Sequence, residues 1–436
     1  MEIQKYNNYK DSGIDWLGAI PEHWENYRID WVANIVRGNT GLKKDELLEK
    51  GDYVALQYGK TYKVDEVNNT FQFYVNSELY KKSQVVNCGD TILISTSETL
   101  EDLGHSCFYN REDLGLLGGE QILLKPDGNQ VNEKYLYYYS KFFCVELGKY
   151  ATGLKVFRFN INDLKNTFIL IPSVEEQIEI VNYLDAKINA IDKKIVLLNY
   201  KINHYKSYRK TVINEAVTKG LVNDVSKWVS YRLKDIGFLY SGLSGKSGND
   251  FNQDDNPNNR GFIPFTNIAN NTYLDQKHLG KVVIEDNEKQ NQVKQNDIFF
   301  LMSSEGYEDI GKSAILKDDI KETYLNSFCK GFRITNKNCV ASFINYLLLS
   351  DNYRQKMLVE GKGFTRINLK MEKVNNFSVL IPSTKKEQQQ IVDYLDTKTM
   401  TIDNIVVNIE SQITALKELR KTLINEVVTG KVKVTA

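Results

Sequence analysis

Residues with types and spacings that could do chemistry are few in this chain. Gly245-Lys246-Ser247 ends like a phosphate-binding loop, but the glycine that should open such a loop falls on Tyr240, and no helix start follows. Asp351 followed by Glu360-Gly361-Lys362 faintly suggests a nuclease carboxylate cluster, yet the first half of the chain has nothing like it. Gly-x-Gly-x-x-Gly, Gly-x-Ser-x-Gly, His-Glu-x-x-His and the Asn/Asp-Pro-Pro-Tyr/Phe tetrad are all missing. His23, His105, His204 and His278 lie far apart, and Cys88, Cys107, Cys144, Cys329 and Cys339 form no Cys-x-x-Cys pair. That disfavours a metal cage or a disulfide framework and suits reduced thiols in a cytoplasm.

What remains is binding. Polar loops follow short apolar runs in both halves. In the first they are Arg37-Gly38-Asn39-Thr40, Gln57-Tyr58-Gly59-Lys60-Thr61 and Ser95-Thr96-Ser97-Glu98. In the second they are Ser244-Gly245-Lys246-Ser247, Thr266-Asn267-Ile268 and Ser303-Ser304-Glu305. Amide side chains can bond adenine bidentately, Arg and Lys suit guanine, and Glu can accept from cytosine. The same residue types also make ordinary solvated turns. Gly153-x4-Arg158-x-Asn160 matches Gly361-x4-Arg366-x-Asn368, and Lys155 and Thr365 beside these arginines are further candidates for DNA contact. These could contact phosphates or tie down the chain before each long helix.

The elements that position these loops belong to a chain of 436 residues, enough for two or three domains. It has 56 basic and 56 acidic residues and a pI near 6.9. Net charge is −5 for residues 1–170, +2 for 171–220, +2 for 221–380 and +1 for 381–436. No region is basic enough for tight binding through phosphates alone, so positive charge is either segregated onto one face or supplied by partners. No apolar run approaches a membrane span, and the N-terminus does not read as a secretory signal.

The strongest signal is internal duplication. At a constant offset of 211, residues 174–218 match 385–429 at 21 of 45 positions. Trp24-x-x-Tyr27-Arg28-Ile29 and Trp228-x-x-Tyr231-Arg232-Leu233 repeat at offset 204. Both long segments follow Ile-Pro, offer a capping box (Ser173 with Glu176, Thr384 with Glu387) and end at Gly220 or Gly430. Apolar residues three and four apart run from Val181 through Leu184, Ile188, Ile191, Ile195, Leu198 and Ile202 to Tyr205. The second set runs from Val392 through Leu395, Thr399, Ile402, Val406, Ile409 and Ile413 to Leu416. Such a narrow stripe predicts coiled-coil helices of about 68 Å. Antiparallel pairing would place one globular domain at each end; the alternative is that each helix packs on its own domain. Short strands (Tyr53–Leu56, Thr91–Ser95, Phe262–Phe265, Ile298–Met302) and helices at Glu133–Leu147 and Val340–Val359 predict mixed α/β halves.

These blocks together carry a resemblance. WLGAIPEHW from Trp16, the runs GDTILIS and NDIFFLM, and IPS…EQ…LD-x-K leading to RKT-x-INE-x-VT resemble the specificity subunit of type I restriction–modification systems over essentially the whole chain. The resemblance implies an α+β, tandem-duplicated chain. Residues 1–172 and 221–382 would be two target-recognition domains, each reading half of a bipartite DNA sequence. Residues 173–220 and 383–430 would be spacer helices in an antiparallel coiled coil, with 431–436 a C-terminal tail. It also implies two methyltransferase subunits and restriction subunits as partners, and S-adenosylmethionine, ATP and Mg2+ chemistry on those partners rather than here. Arg209, Lys210, Arg420 and Lys421, on the last turns of the helices, would dock partners or simply suit the helix dipole. Two other classes compete with DNA reading: a coiled-coil adaptor that joins proteins, and an enzyme with an unfamiliar site.

Overall fold

The computed structural model describes residues 4–100, 102–251, 253, 255–363 and 365–434, with Val145 described by its backbone alone. The chain forms two compact units: residues 1–197 with 411–436, and residues 198–410. Each unit takes in one half of each long helix.

In the first unit the strand order is Ala33–Arg37, Gln121–Pro126, Thr91–Ile94, Ser106–Tyr109, Glu66–Val67, antiparallel except for the last pair. A second sheet orders Tyr74–Val75, Tyr53–Leu56, Gly115–Leu117, Val85–Val86. The apolar run TILI is buried on both faces, and the period of two divides it. Leu93, Ile122 and Leu124 pack into a core with helix Glu133–Leu147 and the long helix, whereas Ile92, Leu123 and Cys107 join Val54, Leu56 and Leu117 of the second sheet.

The second unit repeats this logic. Its main sheet orders Gly237–Ser241, Cys329–Ile334, Ile298–Leu301, Ser313–Ile315; a smaller one orders Gly280–Val283, Asn259–Ile263, Thr323–Leu325. Ile298 and Phe300 face the helices, while Phe299 and Leu301 face Ile263 and Leu325. The expected strand at Phe262–Phe265 ends at Ile263, because Pro264 cannot donate to a ladder, and helix Phe265–Asn270 follows it. The helix expected over Val340–Val359 is two, Ala341–Leu349 and Asp351–Glu360. Ser350 between them is extended (φ −67°, ψ 147°), and its hydroxyl donates to the Leu347 carbonyl at 2.7 Å.

The long helices run Val174–Lys219 and Lys385–Val428. In the first unit Tyr6 bonds Glu176 near the start of one helix and Tyr9 bonds the Gly430 carbonyl past the end of the other. Further along, Asp192 meets Arg420. In the second unit Gly220 lies beside Glu387, and Arg209 meets Asp403. Within each unit, therefore, the two halves run antiparallel. The stripe lies inward: Leu184, Ile188, Leu395, Ile402 and Ile409 are buried, whereas Val196, Leu197 and Tyr200 beside it are about two-thirds exposed.

Gly220 and Gly430 take the left-handed conformation (φ +71° and +70°) that lets each helix stop. The capping boxes are half formed. Ser173 Oγ and Thr384 Oγ1 accept from the backbone N–H of Glu176 and Glu387, but the two carboxylates turn outward to other partners.

Two motif residues of the repeat act as matched staples. The buried Gln177 accepts from Asn132 N–H (2.7 Å) and donates to the carbonyls of Pro172 and Gln130. Gln388 does the same with Val340 N–H (2.7 Å), Pro382 and Asn338. Asp185 accepts from Tyr138 and Lys134, as Asp396 accepts from Tyr346. Each binds a long helix to an earlier helix of its unit, Glu133–Leu147 or Ala341–Leu349.

Candidate nucleic-acid interface

In the first unit three predicted loops converge where strands end. Gly38 N–H donates to the Gln121 carbonyl, Gly119 N–H to the Thr40 carbonyl, and Gly118 N–H to the Leu56 carbonyl. A Cβ on Gly38 would sit 1.9 Å from the Gly118 carbonyl oxygen, so only glycine allows this approach. The fully buried Gln121 ties the loops together: its amide donates to the Leu56 carbonyl at 2.7 Å and accepts from Thr61 Oγ1 at 3.3 Å. Sequence reading missed Gln121, although the preceding Gly118-Gly119 marks a tight backbone passage.

A strand pair then fixes the third loop. Thr96–Ser97 pairs antiparallel with Phe157–Arg158, setting Arg158 opposite Thr96 and Ser97 opposite Phe157. Tyr58 stacks on Tyr62 with ring centroids 5.7 Å apart, and Lys60 Nζ lies 4.3 Å over the Phe73 ring. Burial raises the Tyr58 hydroxyl above its ordinary pKa despite a hydrogen bond with Ser97, so it is a neutral donor at physiological pH. The outward groups here are Glu98, Lys155 and Arg158, with Gln57, Tyr58 and Lys60 half-exposed.

Three other predicted contacts of this unit are structural. Thr40, Thr61 and Ser97 are buried. Asn39 is held by Gln84 and by Lys81, whose ammonium donates to its carbonyl at 2.9 Å. The Arg37 carbonyl accepts from Gln84, while the Arg37 side chain is exposed.

In the second unit, Ser303–Ser304 pairs with Ile367–Asn368. Arg366 lies 3.6 Å from Glu305 and 4.8 Å from the Phe328 ring, and Glu305, Thr365 and Arg366 are exposed. Phe328, half-exposed beside that guanidinium, was missed because nothing in its local sequence distinguishes it. Ser304 is buried, and its hydroxyl accepts from Gly306 N–H.

One further prediction in this unit needs correction. Asn267 is 2% exposed; its amide donates to the carbonyls of Asp275 and His278 and accepts from Asp275 N–H, so it holds a turn and offers no edge to a base. Lys246 is tucked against Glu288. Ser244 exchanges hydrogen bonds with Gln290, and Ser247 caps the turn Gly248–Asp250 with Asp250. Thr266 remains exposed.

The match of Arg158-x-Asn160 with Arg366-x-Asn368 is also out of register. Ser97 faces Phe157, and its counterpart Ser304 faces Ile367, so Arg158 corresponds to Asn368 and Arg366 to Val156. Asn160 caps helix Ile161–Lys165, with Asp163 completing the capping box.

Both arginines expected to dock partners are engaged within their units. Arg209 bonds Asp403 at 3.0 Å and Thr272 at 3.3 Å. Arg420 lies 2.8 Å from Asp65 and 3.2 Å from Asp192. Burial works against the Asp65 charge, but Lys141 and Arg420 outweigh it and hold the carboxyl well below the usual carboxylate range. Lys210 and Lys421 face solvent.

Burial pushes the Cys107 and Cys329 thiols up to about 12, far from a thiolate at neutral pH. Among the described residues no group of three or more His, Cys, Asp and Glu side chains could hold a metal ion, and no helix is long and apolar enough to cross a membrane.

A family model described as the type I restriction modification DNA specificity domain matches residues 21–198 and 225–415. The chain is 21% identical to the StySPI specificity subunit of a type I restriction enzyme from Salmonella potsdam, over 95% of this chain and 90% of that one. It is 23% identical to the MjaVIII specificity subunit from Methanocaldococcus jannaschii, over 100% and 98%. Among solved structures, one from work on complex assembly and conformational transition of the type I R-M system shares the fold, with a TM-score of 0.70 at 14% identity, covering 94% of this chain and 98% of that one.

Proposed function

Because the chain belongs to the family of type I restriction–modification DNA specificity subunits, we propose that each unit reads one half of a bipartite duplex target and that the long helices set the distance between the halves. The observation that carries this reading is a scaffold kept in duplicate beneath surfaces that differ. Gln177 and Gln388 hold corresponding groups in the two units, whereas the position of Arg158 in one unit is Asn368 in the other, and that of Arg366 is Val156. Two different readers on one frame suit two different half-sites.

Helices of 46 and 44 residues extend about 69 and 66 Å. A rigid element of that length would act as a ruler between half-sites, which a flexible linker could not do. Exposed Val196 and Leu197 in the first unit, and separately Tyr200 and Met400 in the second, give apolar ground for docking two methyltransferase subunits. Restriction subunits would join that complex. Methyl transfer with S-adenosylmethionine, and ATP- and Mg2+-dependent cleavage, would belong to those partners, this chain being their non-catalytic reader.

The test is to co-express the chain with its methyltransferase partner and map methylated sites. Two short sequences separated by a fixed gap are expected; a single contiguous site, or methylation without sequence preference, overturns the reading. Removing residues 191–197 together with 402–408 should shorten the gap and leave both half-sites unchanged. An adaptor that reads no DNA would leave the methylation pattern untouched.

A further inference from the structure

We propose that Leu154 is an apolar wedge that enters a base-pair step of the DNA bound by the first unit. This rests on the reading above, that the unit contacts DNA, and extends it from contact to deformation. Leu154 is 97% exposed, the most exposed of the large hydrophobic residues described. A solvated leucine at a loop tip gains nothing from the hydrophobic effect, and its position is not left to chance. Thr152 and Arg158 exchange both backbone hydrogen bonds at 2.9 Å, closing a tight hairpin. Gly153 within it takes φ +120°, and a Cβ there would lie 2.0 Å from the Val156 carbonyl oxygen. Only glycine lets the chain turn this closely at position 153.

The base of this hairpin is as firmly set as its tip. Phe157–Arg158 pairs with Thr96–Ser97, and the next residue, Phe159, is buried in the core of the unit, its N–H donating to the Ser95 carbonyl. The hairpin therefore leaves the domain beside the turn that carries Glu98. Lys155 and Arg158 flank Leu154 and are exposed. A fully exposed leucine next to an exposed lysine, on a narrow hairpin whose base carries an exposed arginine, has the form of the side chains that part base steps while lysine and arginine hold the phosphates. A protein partner would instead want a broad apolar patch of several hundred Å2.

The second unit builds the same hairpin. Lys362 and Asn368 exchange backbone hydrogen bonds at 3.0 and 2.9 Å, and a Cβ on Gly363 (φ +146°) would lie 2.0 Å from the Arg366 carbonyl oxygen. In sequence another large apolar residue, Phe364, follows that glycine and lies outside the described residues.

The experiment uses the chain assembled with its methyltransferase partner and duplexes of its mapped target. 2-Aminopurine is placed in turn at each step of the first unit's half-site, away from the base that becomes methylated. Fluorescence should rise at one step, reporting unstacking, and the rise should vanish with Leu154→Ala and Leu154→Ser but persist with Leu154→Phe. Affinity for the cognate site should fall about tenfold in the two small variants, with half-site preference retained. Specific binding by the wild-type complex without brightening at any step overturns the wedge, as does brightening that survives Leu154→Ser. Failure of Leu154→Ser to assemble with the methyltransferase overturns it in favour of a protein contact. Absence of sequence-specific binding by the wild-type complex would instead sink the DNA-reading function on which the wedge rests.

Discussion

The two units are kept alike where they grip the long helices and differ almost everywhere they meet solvent. In both, a buried glutamine one turn into a helix closes three backbone groups of the preceding loops, and an aspartate two turns later takes a tyrosine hydroxyl. They part at the first turn of that helix. In the first unit Glu176 accepts from Tyr6 at 2.7 Å and meets His23 at 2.9 Å, both from the N-terminal segment. In the second unit Glu387 accepts instead from Trp228 Nε1 at 3.0 Å. Trp24, the counterpart of Trp228, is left with a buried indole N–H that has no partner among the described residues. The difference teaches that duplication has preserved the joint between reader and helix, while one joint has acquired a cover that changes who holds the glutamate.

The glutamines offer the most severe way to break the equivalence. Gln177→Leu strands one N–H and two carbonyls in a buried site, and Gln388→Leu does the same. At roughly 1–3 kcal/mol per unsatisfied group, partly relieved by relaxation and water, each should cost about 3–4 kcal/mol. Chemical denaturation followed by tryptophan emission checks this. If one variant costs much less than the other, the two joints are not equivalent.

The arginines should separate the units next. Arg420 meets two carboxylates, Asp65 and Asp192, whereas Arg209 meets one, Asp403, and all three carboxylates are about half-exposed. Arg420→Ala should cost about 2 kcal/mol and Arg209→Ala below 1, because one arginine loses two partners and the other a single screened pair. The Asp65 carboxyl titrates below its usual range in the folded chain. Its stabilisation is therefore complete above the ordinary carboxylate range and is lost as pH falls through the lower folded value. Unfolding of the wild type followed below about pH 4 should show a loss that Asp65→Asn lacks.

Reading of DNA should divide along the same surfaces. Arg366→Ala should relax one half-site position by about 1–2 kcal/mol if the guanidinium reads a base, and Arg158→Ala should act only on the other half-site. Asn267→Ala should instead loosen the turn 275–278 and weaken all sequences alike, as expected of a structural amide. Binding to a panel of single-base variants, with the partner present, distinguishes these outcomes.

Much of this was legible in the chain. The repeat, the helix ends at Gly220 and Gly430, the inward stripe and helix Glu133–Leu147 rest on local rules of capping and periodicity, which the folded chain obeys. Loops were less legible, because Asn, Ser and Thr that hold a turn look in sequence like those that face a ligand; Asn267 and Thr61 are of the first kind. The hairpin register was misread for a related reason. Two glycines, Gly361 and Gly363, precede Arg366, and sequence similarity selected the wrong one; only strand pairing shows that Gly363 corresponds to Gly153. The EQ of the repeat was visible, but the role of its glutamine depends on carbonyls some 47 to 50 residues away.

The gentlest test sharpens the contrast at Glu176. Burial raises the Tyr6 hydroxyl far above its ordinary range, reinforced by the bond to Glu176, so it donates at any physiological pH. Removing one such bond to a carboxylate would ordinarily cost about 1.5 kcal/mol or more. Tyr6→Phe leaves Glu176 with His23, and adding His23→Ala leaves it without either partner. The carboxylate then has a donor waiting in the Trp24 indole, the arrangement that Glu387 and Trp228 already adopt in the other unit. The double variant should therefore lose less than the two single losses added, and an emission change that Trp24→Phe abolishes would report the rearrangement. Strict additivity with unchanged emission would mean that Glu176 cannot make the turn, and that the N-terminal cover has reshaped the joint rather than merely occupied it.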